Sequence, residues 1–279
     1  MEERPGQTLG NYRLIRLFSD CFFTRLYLGH HLHANTPVLI RVLGLLPASA
    51  REEADFMAEL GLFMQCRHPH LISILDGEVH NHVPFRVMDY PPHGMLRERH
   101  VQSPKLPLTI ALGYVKPLAA ALQYLHERKI AHHRLTPESV WLGNHDQLLL
   151  GDPETDVEQS LRSRVDLNEY VMPPQIDYAM SYMAPELIEG QSGNAASDQY
   201  ALAIMIYEWL CGQCPFKGES ALEILFQQLK VPPPPLRQKV PTVPPEVEEV
   251  VLLALEKDPQ KRFGSVKAFA TALEQAILG

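Results

Sequence analysis

LQYLHERKIAHHRLTPESVWLGNHDQLLLGDPE, residues 122–154, is where the helical half of the chain meets a polar, histidine-rich loop. Its front end continues a pattern in which Val115, Leu118, Leu122 and Leu125 recur at spacings of three, four and three, one face of an α-helix. Pro117 lies inside that pattern and is expected to kink or restart the helix, since it removes a backbone donor and clashes with the preceding turn. Beyond the helix come His132-His133-Arg134, and thirteen residues separate Ser139 from Asp152.

Towards the N-terminus the texture is β. Tyr12–Phe18, Leu26–Leu28 and Val38–Leu43 are short aliphatic or β-branched runs separated by polar residues. In the third run the period of two puts Val38, Ile40 and Val42 on one face and Leu39 and Arg41 on the other. Ser49–Arg67 turns helical, with Phe56, Leu60 and Phe63 on one stripe, and His68-Pro69-His70 ends it before strands resume at Leu71–Leu75 and Phe85–Met88. Asp89-Tyr90-Pro91-Pro92-His93-Gly94 is rich in breakers. Towards the C-terminus the chain is helical. Gln199–Leu210 is apolar nearly all round, as a buried helix is. Val247, Val250 and Ala254, then Val266, Phe269, Leu273 and Ile277, mark two amphipathic helices. Residues 231–245 carry seven prolines and read as extended polyproline connection. Their Pro232-Pro-Pro-Pro235-Leu-Arg237 also fits a proline-x-x-proline-x-basic ligand pattern, less well than a stiff linker.

Composition is that of an ordinary globular chain: 279 residues, 46% hydrophobic and 21% charged, with a net charge of −8 that argues against non-specific nucleic-acid binding. Four cysteines make no disulfide framework, and Cys211-Gly-Gln-Cys214 lacks the second pair that a zinc site needs. His31-Leu-His33 and His80-Asn-His82 read as surface histidines. The start, MEERPG, is no signal peptide, and no run approaches ~18 apolar residues, so a reducing, cytoplasmic setting without a membrane span is expected.

EADFMAELGLFMQCRHPHLI, VMDY, LQYLHERKIAHHRLTPESVWL, LLLGDPE, SYMAPE, SDQYALAIMIYEWLCG, CPFKG and KDPQKRF occur in an order and spacing that resemble the protein kinase domain, bacterial Ser/Thr kinases most of all, from about Tyr12 to Ile277. The resemblance implies an α+β, bilobal protein-kinase-like fold. A small β-rich N-lobe with one main helix would span 1–88, a hinge 89–94 and a larger α-helical C-lobe 95–279, as one kinase-like domain overall. It also implies a buried ion pair between Glu186 and Arg262, Asp198 at the head of the central helix, and Trp209 within it.

The resemblance also says where the chemistry should be, and there this chain departs. Ser19, Cys21 and Thr24 stand at the three glycine positions of the phosphate-covering loop, and Phe22 and Phe23 add bulk. Arg41 replaces the phosphate-binding lysine and could still pair with Glu59. Leu39 replaces a small ceiling residue of the adenine slot and Trp141 a modest floor residue. Leu26, Met88 and Tyr90 complete its walls. Arg134 sits where the catalytic base belongs, Thr136 replaces the loop lysine, and Ser139 replaces a metal-binding asparagine. Asp152 keeps the metal-binding aspartate, but Pro153-Glu154 follows it where Phe-Gly is usual. An arginine has no acceptor for a hydroxyl proton, and it should lie within salt-bridge reach of Asp152 or Glu154. Ala179 takes the place of a threonine that shapes the substrate site, and His133 that of an arginine that clasps a phosphorylated loop. Ser160, Ser163, Tyr170, Tyr178 and Ser181 are available for modification.

Structural positions are kept and chemical ones replaced, which resembles a pseudokinase. The expectation is therefore a catalytically inactive regulatory or protein-binding module, not an enzyme. Little or no ATP binding, no cofactor and no metal would be expected, and its partner would be another protein, such as an active kinase, and no nucleic acid. The alternative is an atypical ATP-dependent Ser/Thr protein kinase or nucleotide transferase working with Mg²⁺ or Mn²⁺. In it Asp152 would be the metal ligand and Arg41 or Arg134 a phosphate clamp, and the retention of Asp152 and Glu59 supports it.

Overall fold

The computed structural model describes residues 5–21, 24–44, 46–101, 103, 105–163 and 179–278. Phe22, Phe23, Tyr170 and Tyr178, and the side chains of Cys21 and Ser163, lie outside what is described. The chain divides into two compact units, one of Met1–Arg67, Ile72–Pro92 and Glu154–Pro173, the other of His68–Leu71, His93–Pro153 and Pro174–Gly279. The first is β-rich and the second helical, the α+β arrangement expected.

In the first unit six strands form one antiparallel sheet: β1 Thr8–Leu9, β2 Tyr12–Cys21, β3 Thr24–His31, β4 Pro37–Leu43, β5 Ile74–His80 and β6 Val83–Asp89, in the order β1-β2-β3-β4-β6-β5. The alternation read in β4 holds: Val38, Ile40 and Val42 join Tyr12, Leu14, Tyr27, Phe85 and Val87 in one buried cluster. The other face carries the register pairs Leu39↔Met88 and Arg41↔Arg86. Helix α1, Ala50–Phe63, is capped by Ser49, whose hydroxyl accepts from Glu52 N, and it buries Phe56, Leu60 and Phe63. Gly77 lets it approach β5, because a Cβ there would lie 2.5 Å from Leu60 Cδ2 and 2.7 Å from the Phe85 carbonyl.

In the second unit α2 (Leu96–Arg99) leads to α3, Leu108–His126, which runs through Pro117 as one helix rather than restarting there. It is the one described helix long and apolar enough to cross a membrane, and one of its faces packs into the protein. Val115, Leu118, Leu122 and Leu125 are buried. A two-stranded ribbon follows, β7 Val140–Leu142 with β8 Leu148–Leu150. In the first unit α4 spans Asp156–Ser163. The second unit then adds α5 Pro185–Ile188, α6 Ala195–Cys211, α7 Ala221–Lys230, α8 Leu236–Lys239, α9 Pro245–Ala254 and α10 Val266–Leu278. Helix α6 is buried all round, as expected, from an Asn194 cap to Gly212 at φ +74°, the left-handed end position that glycine fills without strain. The proline-rich connection is not extended throughout. Leu236 is fully buried and begins α8, so Arg237 is helical and the linear ligand pattern is broken.

Candidate functional site

Every element of the candidate catalytic loop is tied to the head of α6. Asp198, 1% exposed, accepts from His126 Nε2 at 2.8 Å and from the backbone N–H groups of His132 at 2.7 Å and His133 at 2.9 Å. Burial alone would raise its carboxyl. The hydrogen bond from His126 holds it below the usual carboxylate range instead. His132 is fully buried and pushed down to about 4, chiefly by burial, so it is a neutral ring at pH 7. Its Nδ1 accepts from Arg134 N at 3.3 Å, which leaves Nε2 to donate to the Gly151 carbonyl at 3.3 Å. Asp152 and Arg134 both act electrostatically on this ring, which puts both in its neighbourhood. His133 takes a left-handed conformation, φ +61°, and packs where Gly193 has no side chain.

Thr136 and Ser139 close the next turn on themselves. Ser139 Oγ donates to the Thr136 carbonyl at 2.7 Å and accepts from Thr136 N at 3.2 Å. The serine hydroxyl is thereby engaged in shaping the loop. The chain continues into β7, where Trp141 is 1% exposed, and through β8 to Gly151 N, which donates to the Ser139 carbonyl at 2.7 Å. This last bond sets Asp152, 2% exposed, beside the loop.

In the first unit the described part of the segment expected to cover phosphates is paired in the β2–β3 ladder. Ser19 pairs with Leu26, Asp20 with Arg25 and Cys21 with Thr24, and Arg25 Nε meets Asp20 Oδ1 at 3.0 Å. Thr24, Leu26, Leu39 and Met88 are all buried. Phe18 of β2 stacks on Tyr90, centroids 6.3 Å apart.

Arg41 is 8% exposed, and it does not pair with Glu59. Glu59 Oε2 instead accepts from Asp156 N, the first turn of α4, at 2.7 Å. Burial first, and then the charges of Asp156, Glu158 and Asp55, push the Glu59 carboxyl up to about 7. The reason is the acidic segment that follows Asp152. Thr155 caps α4, its hydroxyl accepting from Glu158 N at 3.1 Å while Glu158 Oε2 accepts from Thr155 N at 2.8 Å. The same Glu158, 3% exposed, meets Arg86 Nη2 at 2.9 Å, and Arg86 is wholly buried. Sequence reasoning missed Arg86 and Glu158. The Thr-x-x-Glu cap was visible at 155–158, and Arg86 was visible only as a charge inside an apolar strand.

Elsewhere in the second unit, Arg262 binds Glu186 with two contacts of 2.8 Å, as the resemblance implied. No group of three or more His, Cys, Asp or Glu that could hold a metal occurs among the described residues.

The protein kinase domain family matches residues 22–274. The serine/threonine-protein kinase PrkC of Bacillus subtilis is 25% identical over 96% of this chain and 41% of its own length. Pkn1 of Myxococcus xanthus is 29% identical over 98% and 39%. PknA of Mycobacterium tuberculosis is 28% identical over 100% and 64%. The chain thus spans about two-fifths to two-thirds of the length of these relatives. A solved structure of Rad53 in complex with AMP-PNP superposes with a TM-score of 0.74 at 15% identity, covering 94% of this chain and 65% of that one. These findings overturn the expectation that the chain is not an enzyme, because the relatives that match it along almost its whole length are named as Ser/Thr protein kinases. The physical reason is that phosphoryl transfer rests on positioning and charge neutralisation more than on a general base. Losing a base removes only ~10²–10⁴ of the rate, a fraction of a typical enzymatic acceleration.

Proposed function

This chain belongs to the protein kinase domain family, and from that premise we propose that it is an atypical, slow protein kinase that transfers a phosphoryl group from ATP to Ser or Thr hydroxyls of another protein. In the second unit Asp152 is its metal ligand and Arg134 clamps phosphate oxygens. In the first unit the positions Ser19, Thr24, Leu26, Leu39, Met88 and Tyr90 hold the nucleotide with lowered affinity. The division into 1–88, 89–94 and 95–279, and a cytoplasmic setting, belong to the same proposal.

The observation that carries it is the loop around Asp152. A buried carboxylate follows a glycine bonded to the catalytic loop, and that loop is clamped by two backbone hydrogen bonds to Asp198. Mg²⁺ or Mn²⁺ carried with a nucleotide needs one or two protein carboxylates, the rest of its shell being phosphate oxygens and water. A single buried Asp152 fits that demand, whereas Ser139, committed to its own turn, does not add to it. Bound there, the ion would neutralise charge developing on the transferred group. Arg134 supplies permanent positive charge without proton exchange, and it cannot accept the hydroxyl proton, which must leave with solvent.

The test is phosphotransfer from labelled ATP to a mixed protein substrate with Mg²⁺ or Mn²⁺, alongside melting with the same nucleotide. Transfer that disappears in Asp152→Asn is expected, with a melting shift reached only at millimolar ATP. Incorporation no higher than the Asp152→Asn background, with no melting shift, would refute it.

A further inference from the structure

Behind the buried Glu186–Arg262 pair lies a lysine with no acid to answer it. Lys257 Nζ donates to Tyr200 Oη at 3.3 Å and to the Gln227 carbonyl at 3.4 Å, and it sits 4.1 Å from the centroid of the Phe216 ring. Two cations flank one aromatic ring here, since Lys257 Nζ is 5.7 Å and Arg262 Cζ 4.8 Å from the centroid of Tyr200. The carboxylate that could balance them, Glu186, is taken by both terminal nitrogens of Arg262. Arg262 also donates to the Lys257 carbonyl at 3.2 Å, which holds the guanidinium against the lysine's own backbone. Of the neighbouring acids, exposed Glu256 acts on Lys257 only at a distance, and Asp258 turns its carboxylate to Gln260 N at 2.9 Å. No carboxylate comes within ion-pair distance of Nζ among the described residues.

A half-buried ammonium with one hydroxyl, one carbonyl and a ring face for company gains little from its proton, and a nearby guanidinium opposes it. We propose that Lys257 is a nucleophilic amine and a site of acylation by acyl phosphates. The free lone pair on Nζ attacks the carbonyl carbon and forms the C–N bond. The bond from that carbon to the phosphate oxygen breaks with its electron pair, releasing inorganic phosphate, and one Nζ proton passes to solvent. The product suits the surroundings better than the ammonium does. An amide is uncharged and keeps one N–H for the Gln227 carbonyl. Burial first, and then Arg262, push the Lys257 amine down to about 7, in agreement with this geometry.

The proposal is independent of phosphotransfer activity, so the test needs only the intact chain and acetyl phosphate from pH 6 to 9, with acetylation at each lysine followed by peptide mass spectrometry. Exposed Lys267 on α10 is the internal reference. Near pH 7 an amine so displaced is about half unprotonated, while an ordinary lysine is neutral to less than about one part in a thousand. Allowing for the lower nucleophilicity of a weaker base, Lys257 is expected to react about tenfold faster than Lys267 at pH 7, and its rate to level off above pH 8. Equal or slower acetylation of Lys257 at pH 7, or a rate still climbing in parallel with Lys267 to pH 9, would overturn the assignment.

Discussion

Glu158→Ala tests the buried pair that seats α4 on the first unit. Arg86 Nη2 lies 2.9 Å from one Glu158 oxygen and 3.0 Å from the other, with exposures of 0% and 3%. At an effective dielectric near 20 their attraction is about 6 kcal/mol, of the same order as the several kcal/mol that each ion loses on leaving water. The intact pair therefore contributes little net stability. Removing the glutamate is different: the attraction goes, while the desolvation of a guanidinium held in the sheet stays. That asymmetry puts the loss at about 3–5 kcal/mol, with about 1 kcal/mol more from the Thr155 cap that Glu158 completes. Urea unfolding read by circular dichroism measures it, and hydrogen exchange at the α4 amides locates it. The double variant Arg86→Leu/Glu158→Leu removes both charges and is expected within about 1 kcal/mol of the parent or above it. A loss below 1 kcal/mol in Glu158→Ala would refute the reasoning, as would a double variant no better than the single one.

Other measurements follow from the same geometry. Arg134→Ala removes the proposed phosphate clamp, and phosphotransfer is expected to fall by ~10²–10³, an unchanged rate arguing against the clamp. Glu59 has a folded pKa of about 7, above its ordinary 4.5, so its stabilising contribution is complete below pH 4.5 and lost as pH rises through 7. Glu59→Gln keeps an acceptor for Asp156 N and cannot ionise; it should be more stable than the parent at pH 8 and indistinguishable at pH 4, and the opposite order would contradict the burial argument. Gly193→Ala would set a Cβ 2.2 Å from His133 Nδ1 and 2.8 Å from Leu187 Cδ2, so a loss of about 1–3 kcal/mol in thermal or urea unfolding is expected.

What could be read in advance divides by how each residue earns its place. Asp198, Glu186 and Arg262 stand in motifs whose resemblance to the kinase family implied their roles, and each is found buried. Alternation in β4 sorted Val38, Ile40 and Val42 from Leu39 and Arg41, because a half-buried sheet forces a period of two. Arg86 obeys the same alternation, facing the side of Met88 and Arg41, but a lone charge in a strand reads as solvent-exposed unless its counter-ion is known. That counter-ion lies 72 residues away, in a short helix whose apolar face is only Val157 and Leu161. The pairing of Arg41 with Glu59 was anticipated for a complementary reason. The resemblance implied that Arg41 could still pair with Glu59, and nothing in the sequence showed Asp156 N as a competitor for the carboxylate. In the structure that backbone donor prevails: it points along the first turn of α4, where a carboxylate meets both an unsatisfied N–H and the positive end of the helix. Arg86 fixes α4 through Glu158, and α4 in turn sets where Glu59 points, so a residue outside every motif governs one inside them. Spacing rules could not have found that dependence, because it runs through a helix cap and a buried ion pair rather than through any repeated pattern.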